Sequence, residues 1–290
     1  MDYGICLPNM PDGSNPEGID AAAAVAEKLG WSTVWTTDHV LVNRASAADY
    51  GRIFEAILTL AWVGARHTKI KLGTSVIVVP QRNAILLAKE LATLDALSGG
   101  RVIAGVGVGW NEAEFANLSV ADRFHVRGAY LDETINLWRH LWSGSTEPFK
   151  GRFHALDDFT FGPLPAQGAG LPIWVGGRSD AALRRAGGLA DGYHSSAVGP
   201  DEYRPRAAKV SEAAKAAGRT AAFSARVNVR LGESTGSGYA MRGSPEAVAA
   251  EVRAFAELGV THLALAFGQT SAEGVTSAAE RFAREVAPLA

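Results

Sequence analysis

Asp38 and His39 stand side by side at the end of a short apolar run, in the segment TVWTTDH. An imidazole exchanges a proton near neutral pH, and a carboxylate beside it can orient it or hold charge, so the pair is the best acid/base candidate in the chain. A histidine that only caps a strand end is the alternative. A second constellation is Gly176-Gly177-Arg178-Ser179. Two glycines allow close backbone approach, a following helix offers free N–H groups, and Arg178 adds a cation, which together suit a phosphate or other anion. The bland reading is a tight turn between strand and helix. A third is the strand end Gly105-Val106-Gly107-Val108-Gly109-Trp110, where alternating glycines expose bare backbone to a flat ligand.

These groups need a frame that brings strand ends together. Short apolar strands are read at 3–8, 33–37, 71–79, 101–107, 172–175, 192–196, 223–231 and 262–267, and amphipathic helices at 17–29, 52–67, 83–98, 127–142, 180–187, 201–217, 245–258 and 272–286. Asn15-Pro16 and Ser244-Pro245 read as helix caps followed by proline at the first helical position, and Gly30, Gly100 and Gly259 fall where helices must stop. Leu131, Ile135, Trp138, Leu141 and Trp142 form one helical stripe, expected to pack in the core. Strict alternation of strand and helix predicts an α/β fold, a (β/α)8 TIM barrel over residues 1–290, in one domain. An open doubly wound sheet would carry a glycine fingerprint after the first strand, and Leu7-Pro8-Asn9-Met10-Pro11 has none. In a barrel, working groups collect at the C-terminal strand ends, where Asp38, His39, Ser75, Gly107, Gly109, Trp110, Gly176 to Ser179 and Ser195 all fall. Two stretches interrupt the rhythm. Residues 43–49 form a loop long enough to fold over a site. An insertion at 143–170, between the fourth helix and the fifth strand, reads as a small β excursion and is expected to act as a lid.

Composition narrows the classes. The 290 residues are 47% hydrophobic and 20% charged, with 28 basic and 30 acidic side chains and a net charge of −2. That balance offers no basic surface for nucleic acid. No apolar run is long enough for a membrane span, the chain enters its first strand at once, and Cys6 is the sole cysteine, expected to be a small buried residue; a cytoplasmic setting fits. The seven histidines include no H-x-H or H-x-x-x-H pair, so no metal site is expected. A serine hydrolase is not expected either, as no G-x-S-x-G elbow is read.

The segments WTTDH (35–39), LGTSV (72–76), AKELATLD (88–95), LSGGR (97–101), GVGVGW (105–110), PIWVGG (172–177) and DGY (191–193) occur in family order over roughly the first 200 residues. Together they resemble the bacterial luciferase-like monooxygenase superfamily, and within it the branch of F420-dependent oxidoreductases. The resemblance implies a homodimeric barrel that binds F420, or alternatively FMN, at its mouth. It implies that His39 lies near the reactive ring, beside Asp38, and that Ser75-Val76 is a cis peptide forming a bulge behind it. It further implies that Gly107, Gly109 and Trp110, with Gly176, Gly177, Arg178, Ser179 and Ser195, contact the ring and its phosphate-bearing tail. Lys89 and Asp95 match as well, but their mid-helix positions suggest structural roles. One position departs: some F420 dehydrogenases carry an acidic glutamate where this chain has Trp110, which cannot donate a proton. The implied activity is hydride transfer between F420 and a small organic substrate. The alternatives are an FMN-dependent monooxygenase using O2, served by a separate cofactor reductase, and a flavin-binding barrel without turnover.

Overall fold

The protein is described here from a computed structural model covering residues 1–10 and 12–290. The strands are β1 (Asp2–Cys6), β2 (Thr33–Thr36), β3 (Lys71–Thr74), β4 (Ile77–Val78), β5 (Val102–Gly107), β6 (Phe149–Lys150), β7 (Ala155–Leu156), β8 (Ile173–Val175), β9 (Gly192–Ser196), β10 (Ala222–Leu231), β11 (Met241–Gly243) and β12 (His262–Ala266). The helices are α1 (Pro16–Lys28), α2 (Ala47–Tyr50), α3 (Ala56–Arg66), α4 (Ala84–Ser98), α5 (Glu112–Asn117), α6 (Arg127–Trp142), α7 (Asp180–Gly188), α8 (Pro200–Ala216), α9 (Pro245–Glu257) and α10 (Ala272–Glu285). Parallel pairing runs β1–β2–β3–β5–β8–β9–β10–β12 and returns to β1, so among the described residues eight staves close a barrel inside a ring of helices. The expected (β/α)8 architecture is the observed one. The third stave differs from the continuous strand read at 71–79. It breaks into β3 and β4 at Ser75-Val76, whose peptide bond is cis, as the resemblance implies.

Local chemistry starts and stops the elements. The Asn15 side chain accepts from the Gly18 N–H at 2.8 Å, with Pro16 opening α1, and Asn83 accepts from Ile85 and Leu86 at the head of α4. Gly99, at φ 70°, ends α4 in the left-handed conformation that glycine adopts without a Cβ clash. Leu131, Ile135, Trp138, Leu141 and Trp142 are all buried, and the two indoles donate to Ala84 O at 2.9 Å and Ala88 O at 3.1 Å, knitting α6 to α4.

Inside the barrel, alternate residues of each stave point to the axis. Trp35 fills the centre, stacked on His194 with ring centroids 4.6 Å apart and 5.6 Å from Trp174. Only glycine leaves room for it: a Cβ on Gly73 would approach the Trp35 ring to 2.4 Å, and one on Gly192 would approach Trp174 to 2.7 Å. Trp35, Ile103 and Ala264 pack together as a buried layer inside the barrel. Cys6 packs against this layer half-buried rather than fully buried.

The insertion at 143–170 contains an antiparallel β6–β7 hairpin, as read. It is no lid. It joins the tail of α6 to the start of β8, at the barrel end opposite the strand C-termini, and folds back along the outer helices. Glu133 on α6 accepts the N–H groups of Arg152, Phe153 and His154; Lys89 on α4 donates to Gly162 O; Gln167 donates to Asp95. Lys89 and Asp95 thus anchor this excursion, and Asp95 also accepts the Val102 N–H.

Candidate active site

A cleft of about 780 Å³ opens at the C-terminal strand ends. Asp38, His39, Ser75, Val76, Gly107, Gly109, Trp110, Gly176, Gly177, Arg178 and Ser179 all line it. Ser195 does not. Alternation along β9 sends His194 and Ser196 to the cleft and turns Ser195 outward, where its Oγ is buried with no partner among the described residues.

Although adjacent, Asp38 and His39 belong to separate networks. Asp38 accepts the Val78 N–H at 2.8 Å and Arg82 Nη2 at 2.6 Å, while the same Arg82 nitrogen reaches Glu55 at 2.8 Å. Asp38 therefore braces the far side of the Ser75-Val76 break. His39 Nδ1 lies 2.8 Å from Glu114 Oε2, and both side chains are buried. Glu114 also accepts Val40 N–H at 2.7 Å, Leu41 N–H at 3.2 Å and Gln81 Nε2 at 3.1 Å. Burial opposes its ionisation, but the hydrogen bonds from His39, Val40 and Gln81 outweigh that and hold its carboxyl down at about 2. An ionised Glu114 takes the Nδ1–H of His39 and leaves Nε2, without a partner among the described residues, as the imidazole's free atom. Tyr50, delivered by the loop after β2, sits 4.4 Å from the His39 ring, and Trp110 closes the trio at 5.9 Å from each.

The strand-end glycines serve the Ser75-Val76 turn. A Cβ on Gly107 would come 2.7 Å from one Val76 methyl and a Cβ on Gly176 3.1 Å from the other, so Val76 stands between two bare backbones. A Cβ on Gly105 would fall 1.7 Å from Thr74 O. What looks in sequence like backbone bared for a ligand is backbone bared for the bulge, with Val76 presented to the cleft. Behind it, Ser75 Oγ pairs with His194 Nε2 at 2.8 Å, and His194 Nδ1 with Ser224 Oγ at 2.9 Å. Burial, then the neighbouring His262 and Arg226, push the His194 pKa down to about 3, so its imidazole is neutral.

On the fifth stave, Gly177 adopts φ 137° and Ser179 caps α7 by accepting the Ala182 N–H at 3.3 Å. Arg178 is exposed beside them and makes no hydrogen bond or ion pair among the described residues. The cation is therefore uncommitted.

Several lining groups escaped the sequence reading. Glu114 follows the cap Asn111 at the third helical position of α5, a capping-box spacing that draws attention away from chemistry. Arg226 and Asn228 alternate with Val227 on β10, and this period-two polar pattern was the available signal. The pentapeptide GESTG at 232–236 does match G-x-S-x-G, contrary to the expectation of no such elbow. It lies in an exposed connection between β10 and β11, not at a strand-to-helix turn, so Ser234 has no nucleophile-elbow geometry.

A protein of Mycobacterium tuberculosis with no characterised function is 34% identical over 215 residues, covering 69% of this chain and 73% of that one. An F420-dependent glucose-6-phosphate dehydrogenase of Kineococcus radiotolerans is 34% identical over 201 residues, 68% of this chain and 58% of that enzyme. The chain thus matches little more than half the length of that dehydrogenase. Among solved structures, the F420-dependent tetrahydromethanopterin reductase of Methanopyrus kandleri superimposes with a TM-score of 0.81 at 19% identity, covering 99% and 98% of the two chains. A monooxygenase of Streptomyces bottropensis reaches 0.83 at 21%, covering 99% of each. These two likenesses speak for the fold. The model described as "Luciferase-like monooxygenase" matches residues 1–236, and the chain belongs to that family.

Proposed function

We propose that this chain is an F420-dependent oxidoreductase that transfers a hydride to or from a small organic substrate. The observation that carries the reading is the buried His39–Glu114 pair at the mouth of the cleft. The residues present fit such a cofactor. Val76 and the Gly107–Trp110 segment supply a wall for a flat ring, and Gly176, Gly177 and the uncommitted Arg178 at the head of α7 suit a phosphate in its tail. Bound F420 would supply a ring carbon, C5, able to accept or release a hydride. The protein's part is positional and acid–base. Glu114 fixes the His39 tautomer, and the free Nε2 takes the substrate proton when a hydride leaves, or returns it when one arrives. Trp110 and Tyr50 pack against the His39 ring and wall that side of the exchange. Asp38, committed to Arg82 and Val78, orients rather than reacts.

The curated relatives named for F420 dependence support this reading. Side-by-side titration of the protein with F420 and FMN tests it, and tighter FMN binding would assign the cleft to FMN and O2 chemistry. A homodimer belongs to the same proposal: Phe54, Leu58 and Trp62 expose apolar surface along one groove, and light scattering measures the mass. Among the described residues, no helix is long and apolar enough to cross a membrane.

A further inference from the structure

A second cavity of about 200 Å³ adjoins the cleft and shares Met10, Thr37, Arg226 and Asn228 with it. It lies at the C-terminal ends of β1, β10 and β12, the first, seventh and eighth staves. Arg178 sits on the fifth, across the mouth from β1. Its polar wall comes from β10, where Arg226, Asn228 and Arg230 share the inward face at every second position. Among the described residues, no carboxylate lines this annex and neither arginine forms an ion pair. Arg226 Nη1 donates to Thr37 Oγ1 at 2.7 Å and to Ser75 O at 2.9 Å, bridging the mouth beside the Val76 bulge and leaving Nε and Nη2 uncommitted among the described residues. Among the described residues, Arg230 donates only to the carbonyls of Val229, at 2.9 Å, and Ala266, at 3.4 Å. Gly268 makes room for it, since a Cβ there would approach Arg230 Nη2 to 2.6 Å.

Two guanidinium groups converging on a cavity without an acid are a costly arrangement unless an anion completes it. We propose that this annex seats an oxyanion carried by the substrate, a carboxylate or a phosphate monoester, gripped by Arg226 and Arg230 with Asn228 between them. The proposal rests on reading the adjoining cleft as the reaction site. The tail cation Arg178 lies across the barrel, so the annex serves the other reactant. Arg226 touches both spaces and would hold the anionic end next to the reacting carbon. The substrate class is then small organic acids or phosphate esters rather than neutral alcohols or hydrocarbons.

The test needs no cofactor, so its outcome is separate from that of the F420 titration. The Arg178→Ala protein is titrated with inorganic phosphate and, separately, with acetate, and line broadening of the anion is followed by NMR. Saturable binding of at least one anion is expected; phosphate alone points to esters and acetate to acids. Adding Arg230→Met should weaken it about 10- to 100-fold, the worth of charge-assisted hydrogen bonds. No saturable binding, or binding indifferent to Arg230→Met, overturns the proposal. On the unaltered chain, the anion that binds should slow phenylglyoxal labelling of Arg226 and Arg230, read by peptide mass. Equal labelling with and without it also overturns the proposal.

Discussion

Ser75 Oγ and His194 Nε2, 119 residues apart in sequence, meet at 2.8 Å inside the barrel and tie the bulge to a neutral, stacked imidazole. The pairing has a consequence for acid stability. The His194 pKa lies at about 3 against an ordinary 6.5, and that of His262 at about 4, in both cases chiefly through burial. Above pH 6.5 neither state of the chain binds these protons. As pH falls below that, the unfolded chain takes them up first and stability drops by up to about 1.4 kcal/mol per pH unit for each histidine, until the folded values are reached. Urea denaturation between about pH 7 and pH 4 should show this slope, and His194→Gln should flatten it.

Glu114 acts in a lower window. Its carboxyl is held below the ordinary 4.5, so its contribution is complete above that value and is lost as pH falls toward about 2. Glu114→Gln keeps the shape but removes the charge that fixes His39. Turnover should fall with little change in cofactor affinity, and the pH–rate profile should shift, whereas a merely structural loss would lower both together.

His39→Ala should reduce turnover by about 10²- to 10⁴-fold, the usual worth of a positioned acid or base. Cofactor affinity should fall less. If the ring only shapes the pocket, rate and affinity will drop in parallel and His39→Asn will recover much of both. Near-normal turnover in His39→Ala would remove its catalytic role. Glu112 is a poor substitute, being exposed and 3.8 Å from His125 at the surface.

Arg178→Ala should weaken cofactor binding by about 1.5–3 kcal/mol, as expected for lost charge-assisted hydrogen bonds to a phosphate. The melting temperature should not move, because the side chain is exposed and unpaired among the described residues. Unchanged affinity in a calorimetric titration would mean the guanidinium faces solvent when the cleft is filled.

The two glycines of β5 should behave differently. Gly107→Ala meets a Val76 methyl at 2.7 Å, which can yield, so it should move the bulge and lower cofactor affinity at a cost near the bottom of the usual 1–3 kcal/mol for overpacking, about 1 kcal/mol. Gly105→Ala meets the Thr74 carbonyl at 1.7 Å, which cannot yield without separating the staves. It should destabilise the fold by about 3 kcal/mol or more, read from urea midpoints.

The sequence by itself determined the alternation of strand and helix, the caps at Asn15 and Ser244, and the barrel that follows. These are local: period, cap and turn chemistry act within a few residues, so they survive reading in one dimension. It also placed His39, Arg178 and the glycines at strand ends, and in a barrel every strand end of one kind reaches the same mouth. What only the tertiary structure decided is which neighbours each group meets. Asp38 turns to Arg82 while His39 turns to Glu114, because successive residues leaving a strand face opposite sides. Ser195 is lost to the outer face by the same alternation, and Arg226 joins the cleft from a stave whose register against β9 and β12 no local pattern specifies. The 143–170 insertion looked like a lid because its length is visible in sequence, but the barrel end it leaves from is a property of chain direction in space. The bulge glycines were legible as glycines, yet their purpose, clearance for Val76 and Thr74 O, appears only once three staves lie side by side.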